Sequence, residues 1–309
     1  MTDDERQRLE RLIPNLKRRA FIYRTIRSFF NEQDFLEVET PLRSPAIAPE
    51  KEIIPIGSDG WFLSTSPELY MKRLLAAGYD RIYQFNRCFR KGESGNYHNP
   101  EFTLLEWYRK GVNYEQMMQD TEGLVTAVAS ALGVGNTLRY RNRSIDLSLP
   151  WERLTVSGAF KKLAGWDPVI DPDVRRFDED TVLKVIPGLN PLRPTFLLDY
   201  PAPMASLARL KPDNTRVAER VELFIGGLEL CNAYSELNNQ KEQEMRFRQE
   251  IEQIKQEQQR VAPMPEKFLS SVKYLPECAG NALGIDRLVM LFCDAASIDE
   301  VMPFTVDDA

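Results

Sequence analysis

Apolar residues recur at helical spacing over 15–33, where Leu16, Ala20, Ile22, Tyr23, Ile26, Phe29 and Phe30 fall on one face. The run from Phe35 to Pro41 alternates like a strand and stops at proline. Ser66-Pro67-Glu68 ahead of LYMKRLLAAG predicts a helix start: a capping hydroxyl, a proline suited to the first turn and an acid at the positive end. Residues 81–90 and 101–108 read as strands that the polar loop KGESGNYHNP joins into a long hairpin, and a helix is expected over 114–132. The proline-rich stretch 133–215 carries no site motif and reads as a mixed insertion. A second hairpin is expected over 217–238 around Gly226-Gly227, then a polar helix over 240–260. Gly280 to Phe292 reads as a strand, a glycine turn and the amphipathic helix IDRLVMLF. Hairpins with interspersed helices predict an α+β fold, an antiparallel sheet flanked by helices.

The hairpins carry the candidate chemistry. Arg90 ends the first strand of its hairpin, and His98, Asn99 and Glu101 begin the return. A guanidinium held there can grip a phosphate or carboxylate through two parallel hydrogen bonds, although an arginine at a solvated hairpin tip is the commoner case. In VELFIGGLELCNAYSEL, a two-residue turn at Gly226-Gly227 pairs Phe224 with Glu229 and Glu222 with Cys231. Glu222 and Glu229 then lie diagonally on one face. Two such carboxylates either stay exposed or hold a hard cation such as Mg2+. Simple alternation sends Asn232 and Glu236 to the other face, and only a bulge or bend would return them. In GNALGIDRL, glycines allow close backbone approach, and Arg287 in the first helical turn either faces a polyphosphate or lies on the helix surface.

Composition narrows the function. A net charge of −6 argues against general binding to phosphate backbones, while Lys72, Arg73, Arg87, Arg90 and Lys91 form a candidate basic patch for an acidic partner. The start of the chain lacks an apolar signal core and there is no run of 18 apolar residues, so a cytoplasmic protein without membrane contact is expected. Cys88, Cys231, Cys278 and Cys293 contain no C-x-x-C and read as reduced core residues. His98 is the only histidine and Gly-x-Ser-x-Gly is absent, which disfavours a zinc site or a serine triad. Carboxylates, arginines and a hard metal remain.

Taken together, Phe35–Pro41, FRKGESGNYHNPEFTLLEWY (89–108) and GNALGIDRLVML (280–291) resemble motifs 1, 2 and 3 of class II aminoacyl-tRNA synthetases in order and separation. TSPELYMKRLLAAG and GLELCNAYSEL are similar to the lysyl branch, and the likeness runs from about Ile13 to the C-terminus. Within that branch the chain resembles the elongation factor P lysyltransferase family. It begins almost at the catalytic domain, without room for an N-terminal OB-fold, and it carries Ala282 where the tRNA enzymes have glycine. The resemblance implies one class II catalytic domain over 1–309 that activates lysine or (R)-β-lysine with ATP and Mg2+ and passes it to a lysine of elongation factor P. It also implies a homodimer through motif 1 and makes tRNA an improbable acceptor. A truncated lysyl-tRNA synthetase and a non-catalytic synthetase-like regulator are the rival readings.

The resemblance also implies roles. Ser66, Pro67 and Glu68 would line the amino-acid pocket with Ala282, while Tyr108, Asn232 and Glu236 read the amino groups. Arg90 would hold the α-phosphate and the reacting carboxylate. Lys91, Gly92, Asn99, Leu230 and Gly284 would contact ATP, with Arg287 on its terminal phosphate, and Glu222 and Glu229 would bind Mg2+. Two departures stand out. The family has Arg-x-Glu in motif 2, whereas here Gly92 follows Lys91 and the acid comes at Glu93. Ala233-Tyr234-Ser235 replaces a more usual Gly-Phe-His or Gly-Phe-Ser, which would remove a glycine beside the pocket.

Overall fold

The computed structural model describes residues 2–257 and 261–308. The helices are α1 (Asp3–Asn31), α2 (Glu68–Ala76), α3 (Tyr114–Ala131), α4 (Val156–Leu163), α5 (Val174–Asp180), α6 (Ile186–Gly188), α7 (Gln240–Glu257), α8 (Glu266–Val272) and α9 (Ile285–Cys293). The strands are β1 (Leu36–Glu37), β2 (Arg43–Ser44), β3 (Gly57–Ser58), β4 (Trp61–Leu63), β5 (Arg81–Phe89), β6 (Glu101–Lys110), β7 (Thr137–Tyr140), β8 (Arg143–Asp146), β9 (Glu152–Thr155), β10 (Thr195–Pro201), β11 (Val217–Ile225), β12 (Leu228–Ser235) and β13 (Cys278–Gly284). Residues 258–260 of the expected polar helix lie outside the described residues.

Eight strands form the main sheet in the order β1-β5-β6-β13-β12-β11-β10-β9. The interior from β5 to β10 is antiparallel, as expected. Short parallel strands are added at both edges, β1 on β5 and β9 on β10. The stretch 133–215 is therefore more than an insertion, since it supplies β9 and β10 to this sheet. Its short strands are separated by helices and prolines, which hides their periodicity.

One face of the sheet carries the main core. Tyr83, Leu105, Trp107, Val221, Leu223, Ala233, Ala279 and Leu283 pack there with residues of α1, α3 and α9, including Ile22, Phe30, Val125 and Leu288. Full burial of such side chains is worth on the order of 1.5–3 kcal/mol each. The helices start where local chemistry favours it. Thr2 caps α1 by accepting the Glu5 N–H, with Asp3, Asp4 and Glu5 in the first turn. Asn113 caps α3 in the same way.

The other face is left open between two walls. One wall packs α7 and α8 around Phe247, Phe268 and Leu269 against Leu69 of α2. The second packs Phe160, Phe177 and Val185 against Leu197, Tyr200 and Phe224 of the sheet. No helix among the described residues is long and apolar enough to cross a membrane. Cys88, Cys231 and Cys278 are buried free thiols and Cys293 is a half-buried one.

Candidate active site

The open face is a cleft of about 980 Å³. Strand register builds its floor from two aligned rows, of which Gln84 and Ile82 on β5 lie outside the cleft lining. Gln84, Glu106, Ala282, Asn232 and Glu222 stand side by side across five strands. Ile82, Tyr108, Gly280, Tyr234 and Arg220 form the next row. Paired residues in adjacent strands point to the same face, so these rows bring distant segments of chain to one surface.

The expected pairing of Glu222 with Cys231 is not formed. Phe224 does pair with Glu229, but Leu223 pairs with Cys231 and Glu222 with Asn232. Leu230 is an extra residue opposite the Leu223/Phe224 step, a β-bulge that shifts the alternation by one. The shift turns Asn232, Tyr234 and Glu236 toward the same face as Glu222. Simple alternation had placed Asn232 and Glu236 on the opposite face.

At one end of the cleft lies a buried acidic cluster. Lys72 Nζ bridges Glu68 Oε1 and Glu236 Oε2. The Tyr234 hydroxyl donates to Glu68 Oε1 at 2.6 Å. Glu106 accepts from Ser66 Oγ at 2.8 Å and from the Tyr108 hydroxyl at 2.9 Å. Ser66 Oγ also accepts the Glu68 N–H at 3.0 Å, which serves the start of α2. Three carboxylates thus face one ammonium. Burial and mutual repulsion push the Glu106 and Glu236 pKa values up to about 8. Glu236 Oε1 and Asn232 Oδ1 are buried acceptors on which no protein donor falls. Among the described residues, Lys72 is the one cation that touches this cluster of acceptors.

Lys72 is only 1 % exposed, so it is no part of a surface basic patch. It lies one helical turn after Glu68, on the buried side of α2 with Met71 and Leu75. That i,i+4 spacing was the signal in the sequence for it. Glu106 and Tyr234 line the pocket, and Lys72 lies beneath it, without having been candidates for it in the sequence. Pro67 is buried just before α2 and is not part of the cleft lining. Ala233 packs in the core on the far side of the sheet, so its methyl group does not border the pocket.

Two arginines face the middle of the cleft. Arg90 lies over the Phe102 ring, 5.1 Å from its centroid, with Nη1 3.5 Å from Glu93. Gly92 adopts a φ of +82°, which lets the loop bring Glu93 into the cleft lining one position later than the family pattern. Lys91 and Gly92 are exposed and outside that lining. Arg287 is held in three directions: it donates to the Glu229 carbonyl at 2.8 Å and the Tyr97 carbonyl at 3.3 Å, and lies 2.6 Å from His98 Nε2. Burial and the neighbouring arginines lower the His98 pKa, which favours the neutral ring as acceptor. Asn99 lines the cleft, but its amide donates to the Glu101 carbonyl at 2.7 Å and accepts the Val306 N–H at 3.0 Å.

Glu222 and Glu229 share the cleft without being equivalent. Glu222 is satisfied by Arg220 at 2.7 Å and the Tyr200 hydroxyl at 2.6 Å. Glu229 keeps 45 % of its side chain open to the cleft, with Arg287 3.9 Å away. The cleft walls and Glu222 push its pKa up to about 7. Among the described residues no three His, Cys, Asp or Glu side chains are placed to hold a metal. Both oxygens of Glu222 are engaged, so Glu229 is the one of the two with an open carboxylate, and a hard ion placed there would need its other ligands from phosphates and water. Gly284 leaves space on its cleft side, where an added Cβ would approach only the Leu230 carbonyl at 3.8 Å and Arg287 Cδ at 4.0 Å.

A model of the class II tRNA synthetases (D, K and N) matches residues 6–308. The chain belongs to that family. The α+β sheet described above is its catalytic fold, and the three resembling segments are β1 with its following loop, the β5–β6 hairpin, and β13 with α9. Among curated relatives, the elongation factor P--(R)-beta-lysine ligase of Vibrio parahaemolyticus is 37 % identical over 313 residues, covering 94 % of this chain and 95 % of that one. Proteins of the same name from Proteus mirabilis and an Enterobacter species are 38 % and 39 % identical, over 95 % and 96 % of each chain.

Proposed function

We propose that this chain is a ligase that uses ATP to activate a lysine-like diamino acid, (R)-β-lysine or lysine, and transfers it to a lysine side chain of elongation factor P. The observation that carries the reading is the pocket in which Glu68, Glu106 and Glu236 face only one ammonium, beside Arg90 and Arg287. A substrate ammonium answers the pocket's charge, and the arginines answer the charge of the reacting carboxylate and triphosphate. The relatives' names support elongation factor P as acceptor.

In the first step the amino-acid carboxylate attacks the α-phosphate and pyrophosphate leaves. No side-chain nucleophile is required. Arg90 neutralises the oxygens that gather charge, and Arg287, held by Tyr97, Glu229 and His98, grips the terminal phosphate. Glu236, Asn232 and Tyr108 hold the amines, with Ser66 and Glu68 beneath them and Ala282 trimming the floor. Glu229, backed by Glu222, would hold Mg2+, whose charge screens the phosphates when bound. Leu230 and Gly284 border the nucleotide, while Lys91, Gly92 and Asn99 belong to the loop and hairpin base that close over it. In the second step the acceptor amine attacks the acyl carbonyl; AMP leaves and an amide forms.

The motif-bearing elements act as one catalytic unit in this reading, and the segment 35–41 forms a homodimer contact. The half-exposed Leu36 at the sheet edge is consistent with that contact. Amino-acid-dependent exchange of pyrophosphate into ATP tests the activation step. Exchange stimulated by lysine or (R)-β-lysine, and not by glutamate or leucine, is expected; exchange indifferent to the amino acid contradicts the reading.

A further inference from the structure

Lys72 has no part in the two steps above, yet it lies buried beneath the amino-acid end of the cleft, in contact with two of the carboxylates that line it. Its ammonium meets one oxygen of Glu68 and one of Glu236, carboxylates from α2 and from the end of β12. The Tyr234 ring lies 5.2 Å from Nζ. The charged and titratable groups around it are Glu68 on its own helix, Glu106 and Tyr108 on β6, Tyr234 and Glu236 at the end of β12, and Cys278 on β13, with Glu50 close to Glu68.

We infer that Lys72 is a positioning residue for substrate selection, an internal ammonium that engages one oxygen each of Glu68 and Glu236 and leaves Glu236 Oε1 for the incoming amine. The inference rests on the proposed activation of a diamino acid. Three observations carry it. Lys72 is buried beneath the cleft and has no path to a solvent-exposed role. The oxygen of Glu236 that Lys72 does not engage is a buried acceptor with no protein donor. Glu68, Glu106 and Glu236 share the single ammonium of Lys72, and a diamino acid brings two further ammonium groups, whose arrival favours the ionised carboxylates.

The alternative is a purely structural ion pair tying α2 to β12. Replacing a whole buried pair by apolar side chains is often neutral, whereas removing one partner destabilises unless the other is neutralised. In Lys72→Met Glu106 and Glu236 lose the cation that lowers their pKa and hold their protons to still higher pH than in the parent, which permits folding but weakens the pocket for an ammonium. A positioning role therefore has a signature in binding and pH that a structural tie lacks.

The test is amino-acid-dependent ATP–pyrophosphate exchange by the full chain and Lys72→Met, followed from about pH 6.5 to about pH 9. The expected result is an amino-acid KM raised about tenfold or more near neutral pH, corresponding to one or more pKa units, and falling back as pH rises. The KM for ATP and the kcat at saturating amino acid should stay close to those of the parent. Equal amino-acid KM and equal pH profiles in the two proteins overturn the inference while leaving the activation chemistry standing. Absence of amino-acid-dependent exchange in the parent protein overturns the proposed function itself. A second measurement needs no variant. In parent protein carrying nitrogen-15 lysine, the Lys72 ammonium resonance should shift on adding the amino acid and not on adding ATP alone; an unchanged resonance at saturating amino acid overturns the inference.

Discussion

Gly280 passes directly beneath the ring of Tyr108. A Cβ at residue 280 would lie 2.2 Å from Tyr108 Cε1 and 2.7 Å from Glu236 Oε1. Strand β13 therefore needs a residue without a side chain where it runs under the pocket. Gly280→Ala is expected to displace the tyrosine, break its 2.9 Å hydrogen bond to Glu106 and lower stability by about 1–3 kcal/mol. Denaturant unfolding measures the loss. In the same variant the KM for the amino acid should rise more than the KM for ATP, because the displaced groups all face the amino-acid end.

Arg90 sits where charge accumulates in the activation step, and its own contacts are weak: a stacked ring, a 3.5 Å ion pair with Glu93 and a 3.4 Å contact to the Thr65 carbonyl. Arg90→Ala should therefore slow pyrophosphate exchange by roughly 10²–10³-fold, the cost of removing one preorganised donor. Its unfolding free energy should change by no more than about 1 kcal/mol. Near-normal exchange in this variant would remove Arg90 from the mechanism.

The raised carboxylates make stability and binding depend on pH in opposite ways. Glu106 and Glu236 titrate at about 8 in the folded chain, while an unperturbed glutamate titrates near 4.5. Between those values the folded state holds protons that the unfolded state has lost, so stability falls as pH rises toward 8. Glu50, at about 7, acts in the same direction. An ammonium ligand favours the ionised form, so its binding strengthens over the same window. Thermal unfolding at pH 6 and pH 8.5 should show the free protein less stable at the higher pH, and lysine raising Tm more there. The same Tm increment at both pH values would show that the cluster does not bind the amine.

Glu229 is the more available of the two candidate metal ligands. Glu229→Gln removes its repulsion with Glu222 and should leave the fold intact. Exchange should fall and require more Mg2+ for half-maximal rate. An unaltered Mg2+ titration would assign the ion to other groups.

The main elements were legible because their signals are local. Long helical stripes mark α1 and α3, and Gly226-Gly227 between alternating runs marks the β11–β12 hairpin. Three motif segments, distant in sequence, meet on neighbouring strands of the main sheet. The Leu230 bulge was not legible, because no residue in LELCNAYSEL demands an extra position; the register is decided by packing against β11 and β13. Without the bulge, Asn232 and Glu236 could not be joined to Glu222. A lysine is usually a surface cation, and only the place of Lys72 on the buried stripe of α2 points it inward. The stretch holding β9 and β10 stayed opaque because strands of four and seven residues pair across the 39 residues between Thr155 and Thr195.

The central claim is transfer of an activated diamino acid to a protein. Its most direct test is the intact mass of elongation factor P after incubation with this protein, ATP and Mg2+, with (R)-β-lysine in one sample and lysine in another. The account predicts a mass gain of one lysyl group on a single acceptor lysine, dependent on ATP, with the two samples ranking the amino acids. An unchanged mass in both samples, with ATP still consumed in their presence and lysine tRNA charged instead, would contradict it.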